Sequence, residues 1–169
     1  TLKIPLGRLL VAATERGICS VALGNDDATL LAGLRDEFPK ASIERVDAGR
    51  DEWLAAVVAR VQADIGGATG SEAAPMLPPV DIRATAFQWR VWQALQKIPR
   101  GSTRSYSDIA AAIGAPRSVR AVANACARNR LAVVVPCHRV IREDGSLGGY
   151  RWGIARKQDL LARESRRRA

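Results

Sequence analysis

Apolar and polar positions divide the chain into short alternating runs at its start and longer helical periods afterwards. Residues 9–13 and 18–23 are β-prone runs on either side of Glu15, Arg16 and Gly17, which is a hairpin pattern. Asp26 or Asp27 then caps a helix through Phe38, with Leu30, Leu31 and Leu34 on one face and Pro39 as its stop. A short strand is expected over 41–46. A second helix over 51–63 sets Trp53, Leu54, Val57, Val58 and Val61 at helical spacing. Residues 66–79 hold three Gly and three Pro with no apolar period, and read as a linker.

The second half reads as mostly helical. Thr85 and Gln88 form a capping box ahead of the stripe Phe87, Val91, Leu95 and Ile98, which ends at Pro99, with Trp89 and Trp92 packing beside it. Ser105 and Asp108 form a second box ahead of a helix of about nine residues that Gly114 closes. Pro116 opens a third helix, to about Asn129, with Val119, Val122 and Cys126 on one face. The last two helices have helix-turn-helix spacing, a weak pattern when taken alone. The other face of the third helix gathers Arg120, Ala123, Asn124 and Ala127, and small side chains around one arginine fit close backbone contact better than base readout.

The chain has 169 residues, 47% apolar and 25% charged, enough for a buried core in one or two small domains. No apolar run reaches the roughly 18 residues of a membrane span, and residues 1–10 lack the pattern of a secretory leader. Three cysteines without paired spacing point to free thiols in a reducing compartment, and a single histidine leaves too few ligands for a zinc site. No metal is expected. Charge changes the picture most: residues 1–80 carry a net −3 and residues 81–169 a net +12. A positive segment of that size attracts a polyanion such as nucleic acid, although basic domains without one are ordinary.

Candidate chemistry lies in the run LAVVVPCHRVI at 131–141. Five apolar residues lead to Pro136, so the chain is expected to turn there and present Cys137 at the end of a buried extended segment. His138 is its neighbour, but adjacent residues on an extended chain point to opposite sides, so turn geometry or a bridging water decides whether they meet. A thiolate is the competent nucleophile, and an imidazole that takes the thiol proton raises its population. The bland reading of the same dipeptide is a buried structural cysteine beside a surface histidine; Cys19 reads as a small core residue.

Four segments in order, SYSDIA at 105–110, SVRAVANACARN at 118–129, PCHRV at 136–140 and GYRWG at 149–153, resemble the O6-alkylguanine-DNA alkyltransferases, and within them the C-terminal domain of the bacterial adaptive-response branch. The likeness is strong over 78–164 and loose before it. It implies an α/β, ribonuclease-H-like domain over 1–78 and a mainly helical domain with a helix-turn-helix over 79–169. It also implies DNA repair by direct, single-turnover transfer of an alkyl group from guanine O6 to the protein's own cysteine, on double-stranded DNA. The expected protein is a cytoplasmic or nucleoid monomer with no cofactor or metal. Starting without Met and lacking the cysteine-rich metal domain and regulatory domain, the chain is expected to be an excised fragment.

By motif position, the resemblance makes Cys137 the acceptor, His138 a water-mediated base and Glu164 the carboxylate that orients it, a triad used once. Tyr106 would donate to guanine N3 and press on the flipped nucleotide. Lys157 would polarise O6 or hold the site's charge, and Asn129 would tie the recognition helix to the active-site turn. Arg120 would fill the stack when the base flips out, with Ser118 and Ala123 against the DNA. Val140, Tyr150, Arg151 and Trp152 would line the guanine pocket. Trp152 stands where some relatives have glycine, and Arg130 where some have proline. Two rival classes remain: a plain DNA-binding module needs no reactive thiol, and a cysteine hydrolase needs no DNA.

Overall fold

The structure is a computed structural model that describes residues 1–46, 51–66 and 79–166. It divides into two compact units, Thr1–Ile82 and Arg83–Ala169. In the first, strands β1 (Leu2–Ile4), β2 (Gly7–Thr14) and β3 (Gly17–Gly24) form an antiparallel meander in that order. The expected hairpin is β2–β3, with Thr14 opposite Gly17 across the two-residue turn. Gly17 has φ +145°, and a Cβ there would lie 2.2 Å from the Pro79 carbonyl oxygen. That bare backbone lets residues 79–81 run along β3, where Ile18 N–H donates to Pro79 O at 2.8 Å and Asp81 N–H to Ile18 O at 2.9 Å. These bonds tie residues 79–81 to the first unit, Thr1–Ile82, and most of the expected linker, 67–78, lies outside the described residues.

Helix α1 (Asp27–Glu37) is capped by Asp26, whose carboxylate accepts the Thr29 N–H at 2.7 Å, while Asp27 pairs with Arg8. Leu30 and Leu34 of α1 pack on Leu10 of β2. Leu9 and Leu10 point to opposite faces of the sheet and both are buried, so β2 is covered on both sides. Helix α2 (Glu52–Gly66) also packs on β2; it buries Val57, Val61 and Ile65 and continues three residues past the expected end. The strand expected over 41–46 does not form: Ile43 alone reaches the Leu10 cluster, Val46 is 52% exposed, and no strand pairs with the segment. Strand propensity without a ladder partner leaves an irregular chain.

In the second unit, α3 (Ala86–Gln96) starts from the Thr85–Gln88 capping box and buries Val91, Trp92 and Leu95. The Trp92 indole donates to Ala125 O at 3.0 Å, while Trp89 stays 38% exposed. β4 (Arg104–Ser105) leads through the Ser105–Asp108 box into α4 (Tyr106–Ala112), and Gly114 follows at φ +68°. α5 (Val119–Ala127) begins later than expected: Ser118 N–H bonds Ala115 O at 2.9 Å, so Pro116 sits in a tight turn ahead of the helix. Val122, Ala125 and Cys126 face the core, but Val119, at the first turn, is exposed. β5 (Val140–Ile141) pairs in parallel with β4, and α6 (Ile154–Ser165) ends the described chain.

Candidate active site

The approach to Cys137 is buried, as expected, but it is not extended. Residues 131–135 fold into tight turns, with Val135 N–H on Leu131 O at 3.0 Å and Val133 at φ +68°. A β-branched residue in the left-handed region costs about 1–3 kcal/mol and persists only where its surroundings hold it. Asn129 supplies that hold. Its Oδ1 accepts Leu131 N–H at 2.9 Å, and its Nδ2 donates to Val135 O at 2.9 Å, Leu131 O at 3.3 Å and Cys137 Sγ at 3.1 Å. The side chain that closes α5 therefore shapes the turn and touches the thiol. After Pro136 the chain makes one 3-10 turn, Cys137–Arg139, in which successive side chains diverge by about 120°.

His138 is fully buried, and its Nε2 lies 2.9 Å from Glu164 Oε1. Burial alone would raise the Glu164 carboxyl, but hydrogen bonds from His138 and Arg139 outweigh it and hold the group down at about 2. An ionised carboxylate only accepts, so Nε2 carries the hydrogen and Nδ1 is the nitrogen that takes a proton. Arg139 grips the same carboxylate through Nε at 2.9 Å and Nη2 at 2.8 Å, and Gly101 N–H reaches Oε2 at 3.1 Å. Neither Arg139 nor Gly101 was singled out in the sequence. A glutamate in the last turn of a helix opposes the dipole there, and this mismatch was the available signal that Glu164 has dedicated partners.

Burial pushes the Cys137 thiol up to about 11, against the Asn129 hydrogen bond and the Lys157 charge, which favour the thiolate. At neutral pH the resting group is a thiol and needs a base. Lys157 is wholly buried; its ammonium donates to Val140 O at 2.5 Å, to Leu147 O and to Gly149 O at 3.5 Å, which pins the segment 140–149 to α6. Burial lowers its proton affinity. Tyr106 stands at the start of α4, and burial raises its phenol to about 12. A Cβ on Gly148 would come within 3.0 Å of the Tyr106 hydroxyl, so glycine lets the loop close on that ring.

Tyr150 joins the cluster through edge-on ring contacts, 6.5 Å from His138 and 5.2 Å from Trp152, which is buried. Val140 is buried and Arg151 exposed. Arg120 is exposed on α5, with Ala123 and Ser118 half-buried, and these three stand apart from the hydrogen-bonded cluster. Among the described residues no group of three or more His, Cys, Asp or Glu could hold a metal ion, and no helix is long and apolar enough to cross a membrane.

Residues 1–66 match the family model of the 6-O-methylguanine DNA methyltransferase ribonuclease-like domain, and residues 86–166 that of the same proteins' DNA binding domain. The chain is 37% identical over 150 residues to the constitutive methylated-DNA–protein-cysteine methyltransferase of Bacillus subtilis, covering 89% of this chain and 84% of that one. It is 51% identical over 160 residues to the bifunctional transcriptional activator/DNA repair enzyme Ada of Escherichia coli, covering 95% of this chain but spanning only 43% of that protein. Among solved structures, a Mycobacterium tuberculosis OGT in complex with DNA aligns with TM-score 0.72 and 34% identity, over 98% of this chain and 91% of that one. The chain belongs to the 6-O-methylguanine DNA methyltransferase family, with a ribonuclease-like first domain and a helical second one.

Proposed function

We infer that this chain repairs DNA by moving a methyl group from guanine O6 to Cys137. The observation that carries the reading is a buried thiol, bonded by Asn129, whose neighbour in sequence is a buried imidazole with Nε2 held by the Glu164 carboxylate. The thiol proton passes to His138 Nδ1 through a bridging water, and Sγ attacks the methyl carbon. An S–C bond forms and the C–O bond breaks, its electrons staying with guanine, whose N3 takes a proton from the Tyr106 hydroxyl, and the proton held by His138 returns through water to the Tyr106 oxygen. The product is a thioether with no neighbouring group to cleave it, so each chain acts once. A hydrolase would have to regenerate its thiol. No methyl donor or metal enters the balance.

The labour divides with the charge: residues 79–169 carry DNA binding and the acceptor, in the cytoplasm or nucleoid and as a monomer. Helices α4 and α5 act as a helix-turn-helix, with Ser118 and Ala123 against the minor groove and Arg120 entering the stack. Flipping costs a few kcal/mol of unstacking, which an inserted side chain partly offsets. With Lys157 bonded to three backbone carbonyls, its charge acts on the pocket from a distance and its bonds hold the walls that Val140, Tyr150, Arg151 and Trp152 supply. The test compares duplex carrying O6-methylguanine with the free base. Cys137→Ser should abolish transfer from both, whereas Arg120→Ala should slow duplex repair far more than reaction with the base. Equal losses for Arg120→Ala remove it from flipping, and transfer by Cys137→Ser removes the acceptor.

A further inference from the structure

The Glu164 carboxylate serves two side chains at once, an imidazole and a guanidinium. Oε1 meets His138 Nε2 at 2.9 Å and Arg139 Nη2 at 2.8 Å, so the imidazole and the guanidinium share one oxygen. Arg139 is anchored independently, its Nη1 donating to Ile98 O at 2.9 Å just beyond α3. We propose that Arg139 is a positioning residue for methyl transfer: by sharing Glu164 with His138 it cancels most of the carboxylate's charge and keeps the imidazole neutral, in the form that accepts the thiol proton. This rests on the reading of His138 as the base for Cys137.

A lone carboxylate at hydrogen-bond distance strongly favours the imidazolium, and an imidazolium takes no proton. Arginine does not lose its charge, so the Arg139–Glu164 pair presents a dipole to the ring instead of a net negative charge. The guanidinium also opposes a second positive charge beside it, and both effects have the same sign. Other titratable and charged groups stand on the elements around the ring, among them Arg100, with a buried Nε just before Gly101, and Arg156 of α6, whose charge acts on Tyr150. On the same turn Cys137 keeps its proton at neutral pH, and so does Tyr150 from the next loop, both through burial. From α6, Lys157 is bonded to the 140–149 backbone; from α3, Arg90 is bonded to Ile113 O, and Lys97 beyond it is exposed.

The chain has one histidine, so its imidazole signals titrate in NMR without overlap. Wild type, Arg139→Lys, Arg139→Met, Glu164→Gln and the double variant Arg139→Met with Glu164→Gln are followed over the folded pH range. Transfer from free O6-methylguanine is timed over the same range. The His138 midpoint should rise from wild type to Arg139→Lys to Arg139→Met, by about one pH unit in all. The acid limb of the rate should move with it, and on the Glu164→Gln background Arg139→Met should shift the midpoint less than half as far. Midpoints that stay put or fall in the arginine variants overturn the proposal, as does a ring that stays neutral throughout in every folded variant. If Arg139→Met does not fold, Arg139→Lys decides. Ordered midpoints with no methyl on Cys137 uphold the sharing of Glu164 and contradict the transfer reading instead.

Discussion

In the first unit Arg8 grips Asp27 through two hydrogen bonds of 2.6 Å; in the second Arg139 grips Glu164 through bonds of 2.9 and 2.8 Å. Both carboxyls are held near 2, but by different balances. Asp27 is 37% exposed and is lowered chiefly by its bond to Arg8, whereas Glu164 is 2% exposed and its bonds must first overcome burial. The contrast extends to the cores. Among the described residues, Ser20 is the buried polar side chain of the first unit, against Asn129, His138, Lys157 and Glu164 in the second. The first unit is stabilised as most domains are, by apolar packing with charges at the rim. The second places paired charges inside, which holds the groups around Cys137 in a fixed geometry.

The sharpest break between the units concerns the thiols. Cys137→Ser should eliminate methyl acceptance, and Cys19→Ser, in β3, should leave it at the wild-type level, as measured by labelled methyl transfer from duplex. Loss in both would end the division of labour. Stability comes next: Glu164→Gln strands the Arg139 charge and should cost about 3 kcal/mol in urea unfolding, where Asp27→Asn costs far less and its effect fades with salt. Similar costs would mean that burial does not separate the two pairs.

Acid sharpens the same contrast. The ordinary Glu value is 4.5 and the folded value is about 2, so the Glu164 contribution is complete above pH 4.5 and is lost as the pH falls from 4.5 through 2. Wild type should lose about 3 kcal/mol across that window, and Glu164→Gln should lose much less. An equally steep acid limb in the variant would assign the loss to other carboxylates. A smaller effect belongs to Lys157→Met, which leaves carbonyls of the 140–149 segment without their donor; about 1–3 kcal/mol and faster amide exchange in that segment are expected. Unchanged exchange would mean the ammonium does not hold the loop.

Features set by neighbours in sequence were legible from it. The Asp26 cap and the two capping boxes need only residues three apart, and all three formed. The segment 41–46 misled because a strand needs a partner, and propensity carries no information about one. The apolar run before Pro136 misled differently: burial was right, but its backbone bonds go to the Asn129 side chain and into tight turns, not to a sheet. Cys137 and His138 stood out as a dipeptide. Glu164 and Lys157 lie 26 and 17 residues from their partners His138 and Val140 and came only through the family resemblance. Gly101 contributes a backbone amide, which no side-chain pattern reveals.

The central claim is that Cys137 accepts one methyl group and then stops. The direct measurement is the intact mass of the chain after incubation with an excess of duplex carrying O6-methylguanine, followed by peptide mapping. The account predicts a gain of one methyl per chain, located on Cys137, with the remaining lesions untouched however long the reaction runs. Continued loss of lesions by a chain of unchanged mass, or a methyl group on any other residue, would contradict it.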